Sequence, residues 1–149
     1  MSFEITVSGF SNGGVIPRAH TCEGEDVSPA ISWRGSPADT HSFALIVDDP
    51  DAPVGAWNHW LLYDIPATTA ALAQGATGGR SGKNDFGRLG YGGPCPPRGH
   101  GPHRYFFKIF ALSVGSLGLE AGATRAELDR AMEGRVVGQA EYMGRYERR

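Results

Sequence analysis

The stretch YGGPCPPRGHGPHRYFFKIFAL (91–112) changes character in its middle. The part up to His103 contains four glycines, four prolines and two histidines, and the remainder is mostly aromatic and aliphatic. Because proline fixes φ and glycine lets the backbone approach a ligand closely, the first part predicts a stiff loop. The second part is apolar at odd and even positions over Arg104–Val114, which predicts a strand that is covered on both faces.

The loop has two interpretations. A plain tight connection between strands explains the glycines and prolines, but not the clustering of His100, His103 and Arg104 beside them. A rigid loop that brings backbone N–H groups and side chains to an anion explains both features. In extended backbone His103 and Tyr105 share one face and Arg104 points to the other, so this strand would begin with an imidazole and a phenol side by side.

Other segments also have strand patterns. Ser42–Asp48 and His59–Ile65 are apolar at both parities, which predicts two further central strands. Phe3–Ser8 alternates between apolar and polar residues, Ala30–Trp33 predicts a short strand, and Gln139–Tyr146 predicts a last one. Strands therefore outnumber helices, and the sequence predicts a mainly β protein, a sandwich in a single domain.

One helix is predicted after residue 124. Thr124 and Glu127 fit a capping box, in which each side chain accepts a hydrogen bond from the other residue's backbone N–H. Leu128 and Met132 lie four residues apart on one face, and Gly134 is a suitable stop.

Length and composition limit the function classes. A chain of 149 residues predicts one domain over 1–149, and 22 glycines and 10 prolines predict many turns, with residues 67–90 as a long ordered loop. The net charge of −2 gives no electrostatic case for nucleic-acid binding. MSFEITVSGF lacks the features of a secretory signal, and no run reaches the ~18 apolar residues of a spanning helix. We therefore expect a cytoplasmic protein without stable membrane insertion.

Carboxylates and a histidine collect near two of the predicted strand ends. Asp49 and Asp51 are two residues apart and would face the same side in extended backbone. Neighbouring carboxylates repel each other and lose hydration when they are buried. Because placing two of them together is unfavourable, the pair suggests a ligand-binding site. The alternative is an Asx-type turn, in which an Asp side chain caps its own backbone. His59 in WNHW is likewise either a ligand-binding group or a satisfied structural imidazole.

The cysteines leave alternatives open. Cys22 and Cys95 are too few for a disulfide scaffold, and their spacing does not decide between two thiols and one bridge. Cys95 with His103 would be a nucleophile and base pair, although prolines flank the cysteine and no third member is evident.

Two further chemistries use the polar residues. Asp49, Asp51, His59 and His103 are competent ligands for a divalent metal, although no recognisable spacing fixes such a site. The segment GATGGRSGKN (75–84) is similar to a phosphate-binding loop but lacks the first glycine and the final Ser or Thr of that motif. A hydrolase that uses the two Asp and two His residues, with or without metal, is therefore the enzymatic alternative.

Together these motifs resemble the phosphatidylethanolamine-binding protein family, also called Raf kinase inhibitor-like proteins, in its bacterial and archaeal branch. The resemblance rests on HTCEGEDVSPAISW (20–33), VDDPDAP (47–53), WNHW (57–60) and the segment 84–112. It implies a β-sandwich built on a large antiparallel sheet with small peripheral helices. It also implies one small anion-binding pocket near the surface, no cofactor, and a homodimer.

The resemblance also implies which residues form the pocket. This chain departs from the animal members of the family at two positions of these motifs: they usually have a second histidine where this chain has Asn58, and a glycine where it has Cys95. Carried over motif by motif, the ligand-binding residues are Asp49, Asp51, Trp57, His59, Gly93, Cys95, Pro96, His103 and Tyr105.

The leading hypothesis is a non-enzymatic binding protein for a phosphorylated ligand. A phosphate dianion beside Asp49 and Asp51 would be repelled, whereas the ammonium of a phosphoethanolamine head group would meet a carboxylate while its phosphate takes donors from imidazole and loop N–H groups. A singly charged oxyanion is the next best fit. The resemblance adds a kinase or a protease as an expected protein partner.

Overall fold

The computed structural model describes residues 2–149, which form two antiparallel sheets, one α-helix and one short 3-10 helix. The strands are β1 Glu4–Val7, β2 Ile31–Arg34, β3 Ser42–Asp49, β4 Trp57–Pro66, β5 Ala71–Leu72, β6 Arg80–Ser81, β7 His103–Leu112 and β8 Val136–Tyr146. The 3-10 helix is Arg18–His20 and the α-helix, α1, is Arg125–Met132. The small sheet has the order β1-β2-β5, and the large sheet has the order β6-β4-β3-β7-β8.

The large sheet is covered on both faces, which explains why its central strands are apolar at both parities. In β3, Phe43, Leu45 and Val47 pack with the apolar residues of β1 and β2, while Ala44 and Ile46 belong to a second cluster that includes α1. All eight residues of β3 are buried. The predicted mainly β sandwich is therefore confirmed.

The predicted helix is present with its predicted cap. The Thr124 hydroxyl accepts a hydrogen bond from the Glu127 N–H at 3.2 Å, and the Glu127 carboxylate accepts one from the Thr124 N–H at 2.9 Å. Leu128 and Met132 are buried against the large sheet, and Gly134 follows the helix with a φ of 74°. The capping box and the glycine stop are both confirmed.

The strand predictions hold with shifts of a few residues at their ends. The exception is the segment 67–90, which was predicted as a loop without strands but contains β5 and β6. Each of these strands has only two residues, too few for an alternating pattern to show in the sequence. None of the helices in residues 2–149 has the length and apolar character needed to cross a membrane.

A bulge in β4 lies at His59. Val47 of β3 pairs with Trp60, but the next residue, Asp48, pairs with Asn58, so His59 is the extra residue on β4. Such a bulge re-aims a side chain relative to the regular alternation of a strand. Here His59 and Trp60 are consecutive residues of β4, and both are buried.

Candidate functional site

The three polar motifs meet at one end of the large sheet. β3 lies between β4 and β7 and is antiparallel to both, so its last residues lie beside the first residues of its two neighbours. Asp49 ends β3 and pairs with Trp57 at the start of β4, and His103 begins β7. The topology thus brings together segments that are far apart in the chain.

A pocket of about 240 Å³ opens at this end of the sheet. Of the predicted ligand-binding residues, only Asp51 and Gly93 do not line it. The lining residues are Asp49, Ala52, Pro53, Val54, Trp57, His59, Phe86, Cys95, Pro96, Pro97, His103 and Tyr105. The sequence did not indicate Ala52, Val54 or Phe86, because apolar lining residues carry no local motif.

Asp49 orients His103. Its Oδ2 accepts a hydrogen bond from His103 Nδ1 at 2.6 Å, and its Oδ1 accepts one from the Asp51 backbone N–H at 2.7 Å. Both side chains are almost fully buried, with 4% of the Asp49 and 2% of the His103 side chain exposed. The Asx-type turn and the pocket, which the sequence presented as alternatives, therefore both involve Asp49.

The Asp49–His103 pair extends to the surface through His100. His103 Nε2 lies 2.6 Å from His100 Nδ1, and His100 is exposed. Since His103 Nδ1 donates to Asp49, its Nε2 accepts, and the Nδ1 of His100 donates to it, so that both ring nitrogens of His103 have a partner. His100 was not among the predicted site residues, since its only signal is its place three residues before His103.

His59 presents an acceptor to the pocket. Its Nδ1 donates to the Gly92 carbonyl oxygen at 2.7 Å, and this is the one hydrogen bond that the ring forms with residues 2–149. Burial lowers the pKa of His59, so the ring is neutral at neutral pH. A neutral ring that donates through Nδ1 accepts through Nε2.

Tyr105 lines the same pocket and has a hydroxyl without a partner among the described residues. Its hydroxyl is buried and has no hydrogen-bond partner within residues 2–149, although buried hydroxyls are normally paired. Burial raises the pKa of Tyr105, and the charge of Asp49 raises it further. The phenol therefore stays protonated, and its ring centre lies 5.2 Å from that of His59.

The segment before β7, residues 91–102, is called the pocket loop, and it is held in place by Gly93 and by a disulfide. The Gly93 N–H donates to Asp26 Oδ1 at 2.7 Å, and a Cβ on Gly93 would overlap the His20 carbonyl oxygen. Cys22 and Cys95 form a disulfide with a Cα–Cα distance of 5.4 Å. Gly93 is thus explained by a close backbone approach, and the alternative of Cys95 as a thiol nucleophile is wrong.

Asp51 faces away from the pocket because β3 ends at Asp49 and the chain turns at Pro50. The Arg104 guanidinium donates to both carboxylate oxygens of Asp51, at 2.9 and 2.8 Å, and the Arg104 backbone N–H donates at 3.0 Å. These bonds, the side-chain bond first, lower the pKa of Asp51 to about 2. Asp51 fastens the turn to β7 and is not among the residues that line the pocket.

We therefore predict that Asp51→Asn lowers stability at neutral pH but not in acid, and leaves ligand affinity unchanged. The stabilisation from an Asp with a lowered pKa is complete above the unfolded value of 3.8 and disappears as the pH falls through about 2. Denaturant unfolding at pH 7 should show the variant less stable than the parent by less than about 1 kcal/mol, because the ion pair is exposed. Below about pH 2 the two proteins should be equally stable. A tenfold loss of phosphate affinity at pH 7 would contradict this placement.

The metal alternative is not supported by the arrangement of the side chains. Asp51 is turned to Arg104, and Asp49 and His103 satisfy each other. Within residues 2–149 no group of three or more His, Cys, Asp or Glu side chains is arranged to hold a metal ion.

Fold and site define a class of protein: a β-sandwich with one small, largely apolar pocket that is built at the end of its large sheet and contains an oriented histidine. The sequence model of the phosphatidylethanolamine-binding protein matches residues 6–147. The chain belongs to the phosphatidylethanolamine-binding protein family.

Relatives and solved structures agree with this assignment. A UPF0098 protein of Aquifex aeolicus is 52% identical over 97% of this chain and 88% of its own length, and one of Pyrococcus horikoshii is 45% identical over 100% and 78%. The crystal structure of a phosphatidylethanolamine-binding protein homologue from Chlamydia trachomatis superposes with a TM-score of 0.93, at 38% identity and 99% coverage of both chains. That of Escherichia coli YbcL gives 0.93, at 34% identity and 100% coverage of both.

Proposed function

We propose that this protein is a non-enzymatic binding protein whose pocket holds a small phosphorylated group. The observation that carries the proposal is the buried Tyr105 hydroxyl, which has no partner within residues 2–149 and belongs to a residue that lines the same pocket as His59. A buried donor without a partner costs about 1–3 kcal/mol, and a ligand that accepts its hydrogen bond recovers this free energy.

A monoanionic phosphate suits this pair of groups. Tyr105 needs an acceptor, and neutral His59 needs a donor at Nε2. A phosphate ester that keeps one proton offers both, since its P–OH donates and its other oxygens accept. Its second pKa is about 6, so the proton is available near neutral pH. A dianion is less suitable because it would be repelled by the Asp49 carboxylate.

A phosphoethanolamine-type head group has a further advantage. Each oxygen of Asp49 has a second lone pair, so the carboxylate can accept a bond from an ammonium while it still holds His103. Trp57 and Phe86 also line the pocket, with ring centres 5.6 Å apart, and aromatic faces attract cations. A zwitterion thus finds a place for each of its charges.

The test is the loss of binding in Tyr105→Phe. Calorimetric titration with inorganic phosphate, phosphoethanolamine and a nucleotide should show binding to the parent and at least about tenfold weaker binding to the variant, because a hydrogen bond to a charged group contributes about 1.5–3 kcal/mol. Stability should not fall, since the deleted hydroxyl had no partner. The control is Tyr142→Phe, which removes a hydroxyl bonded to the Phe10 carbonyl oxygen outside the pocket. Equal affinities in parent and Tyr105→Phe would contradict the proposal.

The hydrolase alternative has weaker support. Asp49 orients His103 as an aspartate orients a catalytic base, but His103 Nε2 is bonded to His100 and both cysteine sulfurs are in the disulfide. The residues that line the pocket include no thiol and no serine or threonine hydroxyl that the neutral His59 could activate. A screen of phosphate-ester and peptide hydrolysis tests this alternative, and we expect no turnover.

Three expectations stay predictions: the homodimer, a kinase or protease as protein partner, and the cytoplasmic location. The disulfide bears on the last of these. Disulfides are rare in the cytoplasm of mesophiles, where thiols are kept reduced, but common inside hyperthermophiles. A cytoplasmic location therefore fits this chain best if its host is a hyperthermophile.

A further inference from the structure

The residues that line the pocket provide no net positive charge for an anion. Asp49 is negative, His103 is paired with it, and burial lowers the pKa of His59 and keeps that ring neutral. A phosphate in the pocket would therefore gain hydrogen bonds but no neutralising charge from the lining. If the proposed function is right, a cation at the rim of the pocket should complete the site.

Arg148 is a cation bonded to a residue that lines the pocket. Its Nε donates to the Pro96 carbonyl oxygen at 2.7 Å, and Pro96 lines the pocket. Its own carbonyl oxygen accepts a hydrogen bond from the Gly99 N–H at 2.9 Å. The residue is thus fixed to the pocket loop at its main chain and at its side chain, which reduces the conformational entropy that a ligand would have to remove.

The charge of Arg148 is not neutralised by the protein. It forms no ion pair with a carboxylate of residues 2–149, whereas Arg104 is paired with Asp51 and Arg149 with Glu147. The Nε bond to a neutral carbonyl uses one of five N–H donors and leaves the two terminal nitrogens of the guanidinium free. The side chain is only partly buried, so these donors remain accessible.

The charge also lies close to the proposed ligand position. The charge of Arg148 lowers the pKa of Tyr105, against the stronger effects of burial and of Asp49. Arg148, which is bonded to Pro96, is therefore near enough for its charge to act on Tyr105.

We propose that Arg148 is a ligand-binding residue, which donates from its terminal nitrogens to the oxygens of a phosphate bound at Tyr105 and His59. This proposal rests on the proposed function and adds the charge that the pocket lining lacks. It makes the ligand an oxyanion with at least two acceptor oxygens, which a guanidinium binds in a bidentate manner. A neutral or purely cationic ligand would gain nothing from this residue.

A structural role for Arg148 is the alternative, since its hydrogen bonds also join the chain end to the pocket loop. Two variants separate the roles. Arg148→Gln keeps an amide that can donate to the Pro96 carbonyl but loses the charge, and Arg148→Lys keeps the charge but loses the planar guanidinium. Arg145→Gln is the matched control, because Arg145 also donates Nε to a carbonyl, that of Gly13 at 2.7 Å, and also lacks a carboxylate partner within residues 2–149.

The experiment is calorimetric titration of the full chain with inorganic phosphate and with phosphoethanolamine, at low and at physiological salt, together with thermal unfolding. We expect Arg148→Gln to weaken phosphate binding about tenfold at low salt, Arg148→Lys about threefold, and Arg145→Gln less than twofold. The melting temperatures of the two Arg148 variants should be equal. The loss in Arg148→Gln should shrink as salt screens the charge.

The outcomes separate this proposal from the proposed function. Absence of phosphate binding to the parent protein overturns both. Binding to the parent that is unchanged in Arg148→Gln overturns the role of Arg148 alone, and so does an equal loss in Arg148→Gln and Arg145→Gln, which would be a general charge effect. An equal loss in Arg148→Gln and Arg148→Lys with a lowered melting temperature also overturns it, because that pattern belongs to a structural role.

Discussion

Replacing both Cys22 and Cys95 with serine is expected to lower the free energy of unfolding by about 4 kcal/mol. The disulfide closes a loop between residues that are 73 positions apart, and such a crosslink removes conformational entropy from the unfolded chain in proportion to the logarithm of the loop length. Denaturant unfolding of the oxidised parent and of the double serine variant measures the difference. The reduced parent is the control and should unfold with the variant.

The same variant should keep its ligand affinity while it is folded. The pocket loop is held by other bonds, from the Cys22 N–H to the Pro94 carbonyl oxygen at 3.1 Å and from the Tyr91 hydroxyl to the His20 carbonyl oxygen at 2.7 Å. We expect phosphate affinity within about threefold of the parent, because the disulfide acts mainly on the unfolded state. Equal stability of variant and parent, or lost binding in the folded variant, would contradict this account of the bridge.

Gly93→Ala is expected to destabilise the protein by about 3 kcal/mol or more. A Cβ at this position would overlap the His20 carbonyl oxygen and the Asp26 carboxylate and would lie 3.0 Å from the Cα of Thr21. These atoms are mostly backbone and cannot move aside, so the loop must shift at a cost near or above the upper end for overpacked sites. The shift also breaks the bond from the Gly93 N–H to Asp26.

Gly115→Ala is the matched control, since a Cβ there meets only the His41 carbonyl oxygen at an ordinary 4.0 Å. Urea unfolding of both variants gives the comparison. Gly115→Ala should remain within about 1 kcal/mol of the parent. If Gly93→Ala were as stable as this control, the close approach of the loop to the segment around His20 would be wrong.

The strands of the large sheet could be predicted from the sequence because burial on both faces leaves a continuous apolar run. Ser42–Asp48 and Arg104–Val114 are such runs, and the structure confirms both as strands. That the two strands pair with each other is a finding of the structure alone. β5 and β6 could not be predicted, since two residues carry no periodicity. Their existence depends on pairing with β2 and β4, which is long-range information.

The sequence motifs predicted which residues belong to the candidate site, but not which way their side chains point. The spacing of Asp49 and Asp51 implied a shared face, but the strand ends at Asp49 and the turn directs Asp51 to Arg104. The bulge that re-aims His59 depends on the register with β3, which WNHW does not encode by itself. Arg148 was missed for a similar reason, because its contact with Pro96 joins positions that are 52 residues apart.

The central claim is that a phosphate group occupies the pocket between Tyr105 and His59. The most direct measurement is a crystal structure of the protein soaked with phosphoethanolamine. The account predicts phosphate oxygens within hydrogen-bond distance of Tyr105 Oη and His59 Nε2, with the ammonium toward Asp49. Phosphate density at another surface, or an empty pocket at a ligand concentration that saturates binding in solution, would contradict it.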